Sequence, residues 1–461
     1  MLCFEFIQVA IGNRKSLSAA ISDNDWLRLF DFCKKQALIG VGFSAVEKLH
    51  TQGITCPTNL RMQWMALALQ IERRNALLNE QCRRLTEQYE HDGLATCILK
   101  GQGNLLNYPE ELQMRRQCGD IDIWAAPLPP SGGCCNGADK EAVIEYVRMQ
   151  HRLVGNNEKP VIRYHHIEAP KMEGTEVEVH FRVGFVNSPL RNWRMQRWFD
   201  EHADICMKNK TQMGFAVPKS SVNVVYQMCH LFSHYFDEGL GLRQLMDYYF
   251  ALRVWHNDVM ECKDLQTQGM WSEGFGTPVM SKEEVISVLR SFGMSKFTAA
   301  VMYVLQEAFE NEECLLELEM RNEKLGIERE LFTHCQTKEE FIKLRKFPQI
   351  IRELKEIGPQ ADGEWSAITR NGQQLSKKYY APWMICEPNE KEGMKLLAEI
   401  MQGGNFGQYD TRDTGLKKGG MVKHGVWKLK RVMRLVRSYP EEALWEPVFR
   451  VYHLFWRGVN G

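Results

Sequence analysis

Two aspartates separated by one residue are the strongest sign of chemistry in this chain. They are Asp120 and Asp122, in the run Gly119-Asp120-Ile121-Asp122-Ile123. On a β-strand, residues i and i+2 point to the same face, so the two carboxylates are expected side by side while Ile121 and Ile123 enter the core. Neighbouring carboxylates repel each other unless a proton or a cation lies between them. A hard divalent cation that prefers oxygen ligands, above all Mg²⁺, is therefore expected here.

A second strand supplies a third acid. Residues 175–183 have the sequence TEVEVHFRV, whose strict alternation predicts a strand with Glu176, Glu178 and His180 on one face. If this strand lies beside the strand predicted at Asp120–Ala125, one of its glutamates joins the aspartate pair. We expect this to be Glu178, with Glu176 as the substitute. Three carboxylates can hold two metal ions, one on a triphosphate and one on an attacking hydroxyl.

A glycine turn precedes the aspartates. Lys100-Gly101-Gln102-Gly103 follows Leu94–Leu99, an apolar run that predicts a buried strand, and precedes a short helix predicted at Asn104–Tyr108. Glycine lets the backbone approach a ligand closely, and the N–H groups at a helix N-terminus bind phosphate oxygens. Lys100 and, further along, Arg116 would add positive charge. Taken alone, a glycine-rich turn is a weak signal.

The elements around these residues predict an α+β fold. Ser22 is a predicted helix cap, and a long helix is predicted from Leu60 to about Tyr89. The strands already named are followed by a helix at 138–150 and by a hairpin of Val161–Ala169 and Thr175–Val183. Helical periodicity then returns at Val222–Phe236, Leu242–Trp255, Lys282–Ser291, Thr298–Glu310 and Glu339–Ile357. We therefore predict an N-terminal helical region at 1–92, a small mixed-sheet core at 93–190 and a C-terminal helical region at 191–461.

The bulk composition argues against several classes of protein. The 461 residues carry 58 basic and 58 acidic side chains, so no global field attracts nucleic acid or an anionic membrane. There is no run of roughly 18 apolar residues, as a membrane span requires, and the first residues, MLCFEFIQVAIG, lack the basic leader of a signal peptide. The 14 cysteines include no C-x-x-C pair. These features predict a soluble, cytoplasmic protein with reduced thiols.

Two further motifs have an ordinary interpretation that is favoured over a functional one. His230 and His234 lie at i and i+4, on one helix face, with Asp237 nearby. Since the H-E-x-x-H pattern of zinc enzymes is absent, a structural pair, or a pair packed near an acceptor pocket, is favoured. The basic segment Lys417–Arg437 is favoured as a solvated helix face, with contact to a nucleic acid as the alternative.

The order of the motifs resembles the uncharacterised bacterial nucleotidyltransferase-like family of the DNA polymerase beta superfamily. The resemblance lies in Ile98-Leu99-Lys100-Gly101, then Arg116 through Asp122 as R-x-x-G-D-hydrophobic-D, then Glu178-Val179-His180. It implies that Asp120 and Asp122 match the metal-binding pair, that Glu178 matches the third acid and that Gly101 lies near the phosphates. The chain departs from the pattern at Gln102, where the superfamily has a small residue, and at Glu178, where aspartate is common.

The residues and the resemblance together predict a Mg²⁺-dependent nucleotidyltransferase, with Mn²⁺ as a substitute metal. It would move a nucleoside monophosphate from a nucleoside triphosphate to an unidentified acceptor and release pyrophosphate. The predicted catalytic metal ligands are Asp120, Asp122 and Glu178, and the predicted nucleotide-binding residues are Lys100, Gly101, Arg116 and Gly119. Two alternatives stay open. One is a non-catalytic regulator or antitoxin-like binding protein that keeps the fold; the other is a nucleic-acid-binding accessory protein that uses the basic segment.

Overall fold

The computed structural model of the protein describes residues 1–128, 139–155, 160–237, 239–267, 279–310, 380–404, 433 and 435–460. Residues 1–309 and 382–461 belong to one compact unit, and residues 310–381 belong to a second. The predicted helix Glu339–Ile357 lies outside the described residues, as does most of the basic segment Lys417–Arg437. Among the described helices, none combines the length and apolar character needed to cross a membrane.

Four helices precede the first strand. They are α1 (Leu2–Ile11), α2 (Asp23–Lys35), α3 (Ile39–His50) and α4 (Thr58–His91). The predicted cap of α2 is confirmed, since the Ser22 hydroxyl accepts the backbone N–H of Asp25 and the Asp25 carboxylate accepts the backbone N–H of Ser22. The long predicted helix is also confirmed as the 34-residue α4.

The sheet has four strands, β1 (Leu94–Ile98), β2 (Ile121–Pro127), β3 (His166–Met172) and β4 (Thr175–His180). Their order is β1-β2-β4-β3. β1 and β2 are antiparallel, β2 and β4 are parallel, and β3 and β4 are antiparallel. The predicted α+β class with a small mixed sheet is therefore confirmed.

The two faces of the sheet differ because apolar and polar residues alternate along its strands. Ile121 and Ile123 of β2 and Val177 and Val179 of β4 are buried in one apolar cluster. The same cluster contains side chains of α4 and of α7 (Lys140–Leu153), which cover this face; these are Leu78, Cys82, Leu85, Val143, Ile144 and Val147. The opposite face carries the acids and histidines, since residues at i and i+2 share a face.

The β3–β4 hairpin differs from its prediction at three points. The predicted strand start at Val161 is wrong, because the chain turns where the N–H of Arg163 donates to the carbonyl of His166 at 2.8 Å, and β3 begins only at His166. β4 ends at His180, because the next two backbone N–H groups both donate to the carbonyl of His165. The turn is shorter than predicted, with Glu173 and Gly174 at φ 51° and 83°.

Between β1 and β2 the chain forms two short helices, α5 (Gln102–Leu105) and α6 (Glu110–Gln113). The predicted helix at Asn104–Tyr108 is therefore placed too late, and Pro109 caps the start of α6 rather than ending a single helix. Gly103 explains the early start, since a Cβ at this position would lie 2.3 Å from the carbonyl oxygen of Ile98. Only glycine lets α5 pack this tightly against the end of β1.

Helices make up the rest of the described chain. They are α8 (Pro189–Glu201), α9 (Ala203–Met207), α10 (Ser220–Asp237), α11 (Leu242–Thr267), α12 (Lys282–Ser291), α13 (Ser295–Phe309), α14 (Glu390–Gly403) and α15 (Pro440–Asn460). The four predicted helices between residues 222 and 310 are confirmed as α10 to α13, with α11 extending further than its periodicity predicted. At the start of α15, the buried carboxylate of Glu442 accepts the backbone N–H groups of Asn187 and Ser188, which precede α8.

Candidate active site

Two of the predicted acids meet across neighbouring strands. Asp122 of β2 pairs in register with Glu178 of β4, so both carboxylates project from the polar face of the sheet. Asp122 is 1% exposed, and the side chain of Glu178 is half-buried. Glu176 is instead exposed and lies 2.9 Å from the ammonium of Lys171. The structure thus places Glu178, and not Glu176, beside Asp122.

Asp122 is surrounded by positive charge. The ammonium nitrogen of Lys100 lies 2.8 Å from its Oδ1 atom, and Nε2 of His180 lies 2.9 Å from the same oxygen. Burial alone would raise the pKa of Asp122, but Lys100 and His180 outweigh it and hold this pKa below its usual range. Likewise, burial would lower the pKa of Lys100, yet Asp122 raises it. The pair is therefore a carboxylate facing an ammonium at neutral pH.

Glu178 lies among histidines. Its Oε2 atom is 3.4 Å from Nδ1 of His166 and 3.6 Å from Nε2 of His180. Burial opposes its charge, but the hydrogen bond with His180 and the charge of Lys100 lower its pKa. The pKa of His180 is raised, because its two carboxylate partners outweigh burial. Both acids therefore carry the negative charge that metal binding requires.

The ligand atoms of three residues converge. One atom from each of Asp122, Glu178 and His180 lies within 4.8 Å of the others, a spacing that a metal ion can bridge. Asp120 is not part of this group of three, although it lines a cavity together with Glu178 and His180 and its charge acts on both Lys100 and Glu178. Asp122 and Glu178 of this group were predicted from the sequence, and His180 was placed on the same strand face as Glu178.

The predicted glycine turn lies beside the aspartate pair. Gly101 has φ 57° and ψ −110°, a conformation that side chains disfavour, and a Cβ there would lie 3.5 Å from the backbone oxygen of Asp120. The N–H of Leu99 donates to the carbonyl of Asp122 at 3.0 Å. On the other side, the backbone oxygen of Gly119 accepts a hydrogen bond from Arg74 at 3.2 Å. These contacts hold Lys100 and the acids at one edge of the sheet.

Arg116 has a different environment from the other predicted nucleotide-binding residues. It is 3% exposed, and its Nε and Nη2 atoms each lie 2.6 Å from a carboxylate oxygen of Asp247 on α11. The hydroxyl of Tyr108 donates to the same carboxylate at 2.6 Å. This buried, bidentate pair fixes the chain before β2 to α11. Arg116 does not line the cavity, and its predicted contact with a nucleotide stays a prediction.

Asp120 and Glu178 line a cavity of about 580 Å³, whereas the buried Asp122 is not among its lining residues. Such a volume suits a small-molecule substrate. The sheet and its loops contribute Lys100, Asp120, Arg163, His165, His166, Glu178 and His180, α10 contributes Tyr226, His230, His234 and Asp237, and α15 contributes Phe449, Arg450 and His453. The predicted histidine pair of α10 thus lies on the cavity wall, with its rings 4.2 Å apart.

Several of the residues that line the cavity were not identified from the sequence. His165 and His166 lie at the start of β3, and His166 is the register partner of His180. The rings of Phe185 and Phe449 stack at 4.9 Å with 12° between their planes. A pair of histidines before an alternating strand was a usable signal, because a hairpin brings its strand ends together. The contact between Phe185 and Phe449 had no local signal, since the two residues are far apart in the sequence.

The small mixed sheet places acids on adjacent strands, next to a glycine turn and between helices. This arrangement is a nucleotidyltransferase-like α+β fold. A family model described as "Uncharacterised nucleotidyltransferase" matches residues 22–268, more than half of the chain. The chain belongs to this family. The matched range contains the whole sheet and α2 to α11. No curated protein and no solved structure matches the chain.

Proposed function

We propose that the protein is a metal-dependent nucleotidyltransferase, which moves a nucleoside monophosphate from a nucleoside triphosphate to an acceptor and releases pyrophosphate. The observation that carries this proposal is the register of Asp122 with Glu178 on parallel strands, with Asp120 and Glu178 lining one cavity. Membership of the family supports nucleotidyl transfer in general. We also infer a place in the DNA polymerase beta superfamily and a bacterial, cytoplasmic origin, which the order of the motifs and the cysteine usage support.

The donor atoms fit a divalent metal. Asp120, Asp122 and Glu178 would hold Mg²⁺, with Mn²⁺ as a substitute, because carboxylate oxygens are the ligands that Mg²⁺ prefers. The fit rests on the convergence of Asp122 and Glu178 and on their lowered pKa values. When bound, such an ion neutralises phosphate charge and activates the attacking hydroxyl.

The chain's own residues would orient the triphosphate. Lys100 lines the cavity and keeps its positive charge through Asp122, so it can neutralise a phosphate oxygen. The backbone at Gly101 and Gly119 flanks Asp120 on both sides, where a phosphate can approach closely. Arg163 is exposed on the cavity and forms no ion pair among the described residues, which makes it a second candidate for a phosphate contact.

Label transfer tests the proposal. Wild-type protein, Mg²⁺, each α-labelled nucleoside triphosphate and cell extract as the acceptor pool are expected to give a labelled product. Asp122→Asn and Glu178→Gln should lower the rate by about 100-fold or more, the usual cost of losing a group that stabilises transition-state charge. Glu176→Gln is the matched control, because this glutamate is on the same strand but exposed, and it should keep the wild-type rate. Equal transfer by all four proteins would reject the assignment.

One observation favours a second candidate function. Lys100 and His180 already neutralise the buried oxygen of Asp122, as expected if the fold serves as a fixed, non-catalytic binding surface. Calorimetry separates the two candidates: a regulator or antitoxin-like protein would give no heat with Mg²⁺ and any nucleoside triphosphate. A role in nucleic-acid binding depends on the basic segment, which lies largely outside the described residues, and it stays a prediction.

A further inference from the structure

Three imidazole rings meet at the β3–β4 edge of the sheet. His166 opens β3 and pairs in register with His180, the last residue of β4, and His165 immediately precedes β3. The ring centroids lie 4.5 Å apart for His165 and His166, 5.4 Å for His165 and His180, and 5.3 Å for His166 and His180. One nitrogen of each ring lies within 4.8 Å of the other two. The backbone pairing thus holds three nitrogen donors around one point.

Hydrogen bonds account for one nitrogen of each ring, and Nε2 of His180 faces Oδ1 of Asp122 at 2.9 Å. Nδ1 of His166 faces Nε2 of His165 at 3.0 Å, so these two rings partly satisfy each other. The remaining nitrogen of each ring, Nδ1 of His165, Nε2 of His166 and Nδ1 of His180, is buried with no hydrogen-bond partner among the described residues. Buried polar atoms are normally paired, and exceptions call for an explanation. Three adjacent imidazoles whose nitrogens converge are a familiar ligand set for a transition metal.

A carboxylate completes the set. Oε2 of Glu178 lies 3.4 Å from Nδ1 of His166 and 3.6 Å from Nε2 of His180. Metal–nitrogen bonds of about 2.0–2.1 Å at tetrahedral angles place ligand atoms about 3.3 Å apart, close to these separations. Three nitrogens and one oxygen suit Zn²⁺ or a similar ion, whereas Mg²⁺ prefers oxygen alone. All four side chains line the cavity, so an ion can reach them.

We infer that His165, His166 and His180, with Glu178, form a binding site for a borderline divalent cation of the Zn²⁺ class. The site lies beside the acids proposed for Mg²⁺ and shares Glu178 with them. Its existence does not depend on nucleotidyl transfer, because it concerns metal binding by the chain alone. The site would give the cavity two metal positions with different ligand preferences.

Calorimetry on the full chain, stripped of metal with a chelator, tests the site with ZnCl₂ and no nucleotide. We expect one equivalent of Zn²⁺ to bind. His165→Ala and His166→Ala should weaken binding by about 100-fold or more, since even residues that only support a ligand cost 10–100-fold. Co²⁺ in place of Zn²⁺ should give the visible absorption of a nitrogen-ligated ion, and this absorption should be lost in both variants.

Two controls keep the test decisive. His230→Ala removes another histidine of the same cavity and should leave the Zn²⁺ affinity unchanged, as should Glu176→Gln, which removes an exposed acid of the same strand. If circular dichroism shows that an alanine variant does not fold, His165→Gln or His166→Gln is used in its place, because glutamine retains much of the volume of the histidine side chain. No Zn²⁺ binding by the wild type, or equal affinity in both ligand variants, overturns the inference. Failure of label transfer with intact Zn²⁺ binding would reject only the proposed function.

Discussion

At the scale of single residues, the site depends on how a buried carboxylate is compensated. One oxygen of Asp122 has both Lys100 and His180 as partners, within 2.9 Å. A buried ion pair adds little net stability compared with apolar packing, but removal of one partner leaves a charge without compensation. The exposed pair of Lys171 and Glu176 has no such cost, because water solvates both groups. The same substitution should therefore have very different effects at the two lysines.

Lys100→Met should destabilise the protein by about 3 kcal/mol, at the lower end of the range for a broken buried pair because His180 remains. Lys171→Met should cost less than about 1 kcal/mol. Urea unfolding followed by circular dichroism measures both free energies. Equal losses for the two variants would contradict the importance assigned to the Lys100–Asp122 pair.

His166 should make stability depend on pH. Burial, followed by the proximity of His180, lowers the pKa of His166 to about 2. Since the unfolded chain has a His pKa of about 6.5, the unfolded state takes up the proton first as pH falls. His166 thus makes its full contribution to stability above pH 6.5. Below pH 6.5, the free energy of unfolding falls by about 1.4 kcal/mol per pH unit because of this residue.

The measurement is the free energy of unfolding between pH 7 and pH 5, for wild type and His166→Gln. Below pH 6.5, the free energy of unfolding of the variant should change with pH less steeply than that of the wild type. The difference should correspond to about one bound proton. His180 acts in the opposite direction, because its raised pKa gives stability that is present at low pH and lost as pH rises through its folded value. Because His166 is electrostatically coupled to His165 and His180, the difference in slope reports the loss of His166 together with the response of these two neighbours. Identical slopes would mean that His166 is protonated in the folded state.

At the scale of elements, the strand that carries the aspartates is anchored from outside the sheet. The pair of Arg116 and Asp247 connects the chain before β2 to α11, and both side chains are buried. The carbonyls of Met114 and Arg116 also accept hydrogen bonds from Asn75 of α4, at 2.7 Å each. The segment that leads to Asp120 is therefore fixed on two sides, which sets where the aspartates emerge.

Arg116→Met should cost about 3–5 kcal/mol, because it removes both hydrogen bonds of the guanidinium and leaves the Asp247 carboxylate buried with the Tyr108 hydroxyl and the nearby charge of Arg243. The double variant Arg116→Met/Asp247→Leu should recover much of that loss. If Arg116 acts only through this pair, the folded double variant should keep the wild-type KM for the nucleoside triphosphate. A KM raised by about 10-fold or more would instead support the predicted nucleotide contact, at about 1.4 kcal/mol per decade.

The strand positions of the acids were predictable from the sequence, because the alternation of acidic with apolar residues is a local pattern. Ile121 and Ile123, like Val177 and Val179, mark a strand with one buried face, which fixes the direction of the acids between them. The start of β3 was not predictable, since its turn at Arg163–His166 contains no glycine, proline or asparagine. The partner of Arg116 lies on a distant helix, and no local pattern specifies such a contact.

At the scale of the whole molecule, one wall of the cavity is formed by a helix outside the residues that the family model matches. α15 lies well beyond residue 268, yet Phe449 and His453 line the cavity, and Phe449 stacks on Phe185. The buried carboxylate of Glu442 fixes the start of the helix to the chain before α8. The sheet and α10 thus define much of the part of the cavity inside the matched range, and α15 adds an aromatic wall from outside that range.

Phe449→Ala should weaken the binding of the substrate that contacts this wall by about 10-fold, since aromatic pairs contribute about 0.5–1.5 kcal/mol beyond their buried area. Phe449→Trp should keep most of the affinity. Phe455→Ala is the matched control on the same helix, because Phe455 is 73% exposed. KM values for triphosphate and acceptor, measured separately, show which substrate lies against α15. Unchanged KM values for both would exclude this role.

If the acids bind a cation as proposed, the parallel pairing of β2 with β4 also makes cation affinity a measure of folding. Asp122 and Glu178 meet only when strands separated by a helix and a further strand have found their register, so no locally folded fragment can present both. A dication that recognises only the finished sheet shifts the folding equilibrium by mass action, by about 2.7 kcal/mol at a concentration 100 times its Kd. The melting temperature in rising metal concentrations would then report whether two strands have aligned.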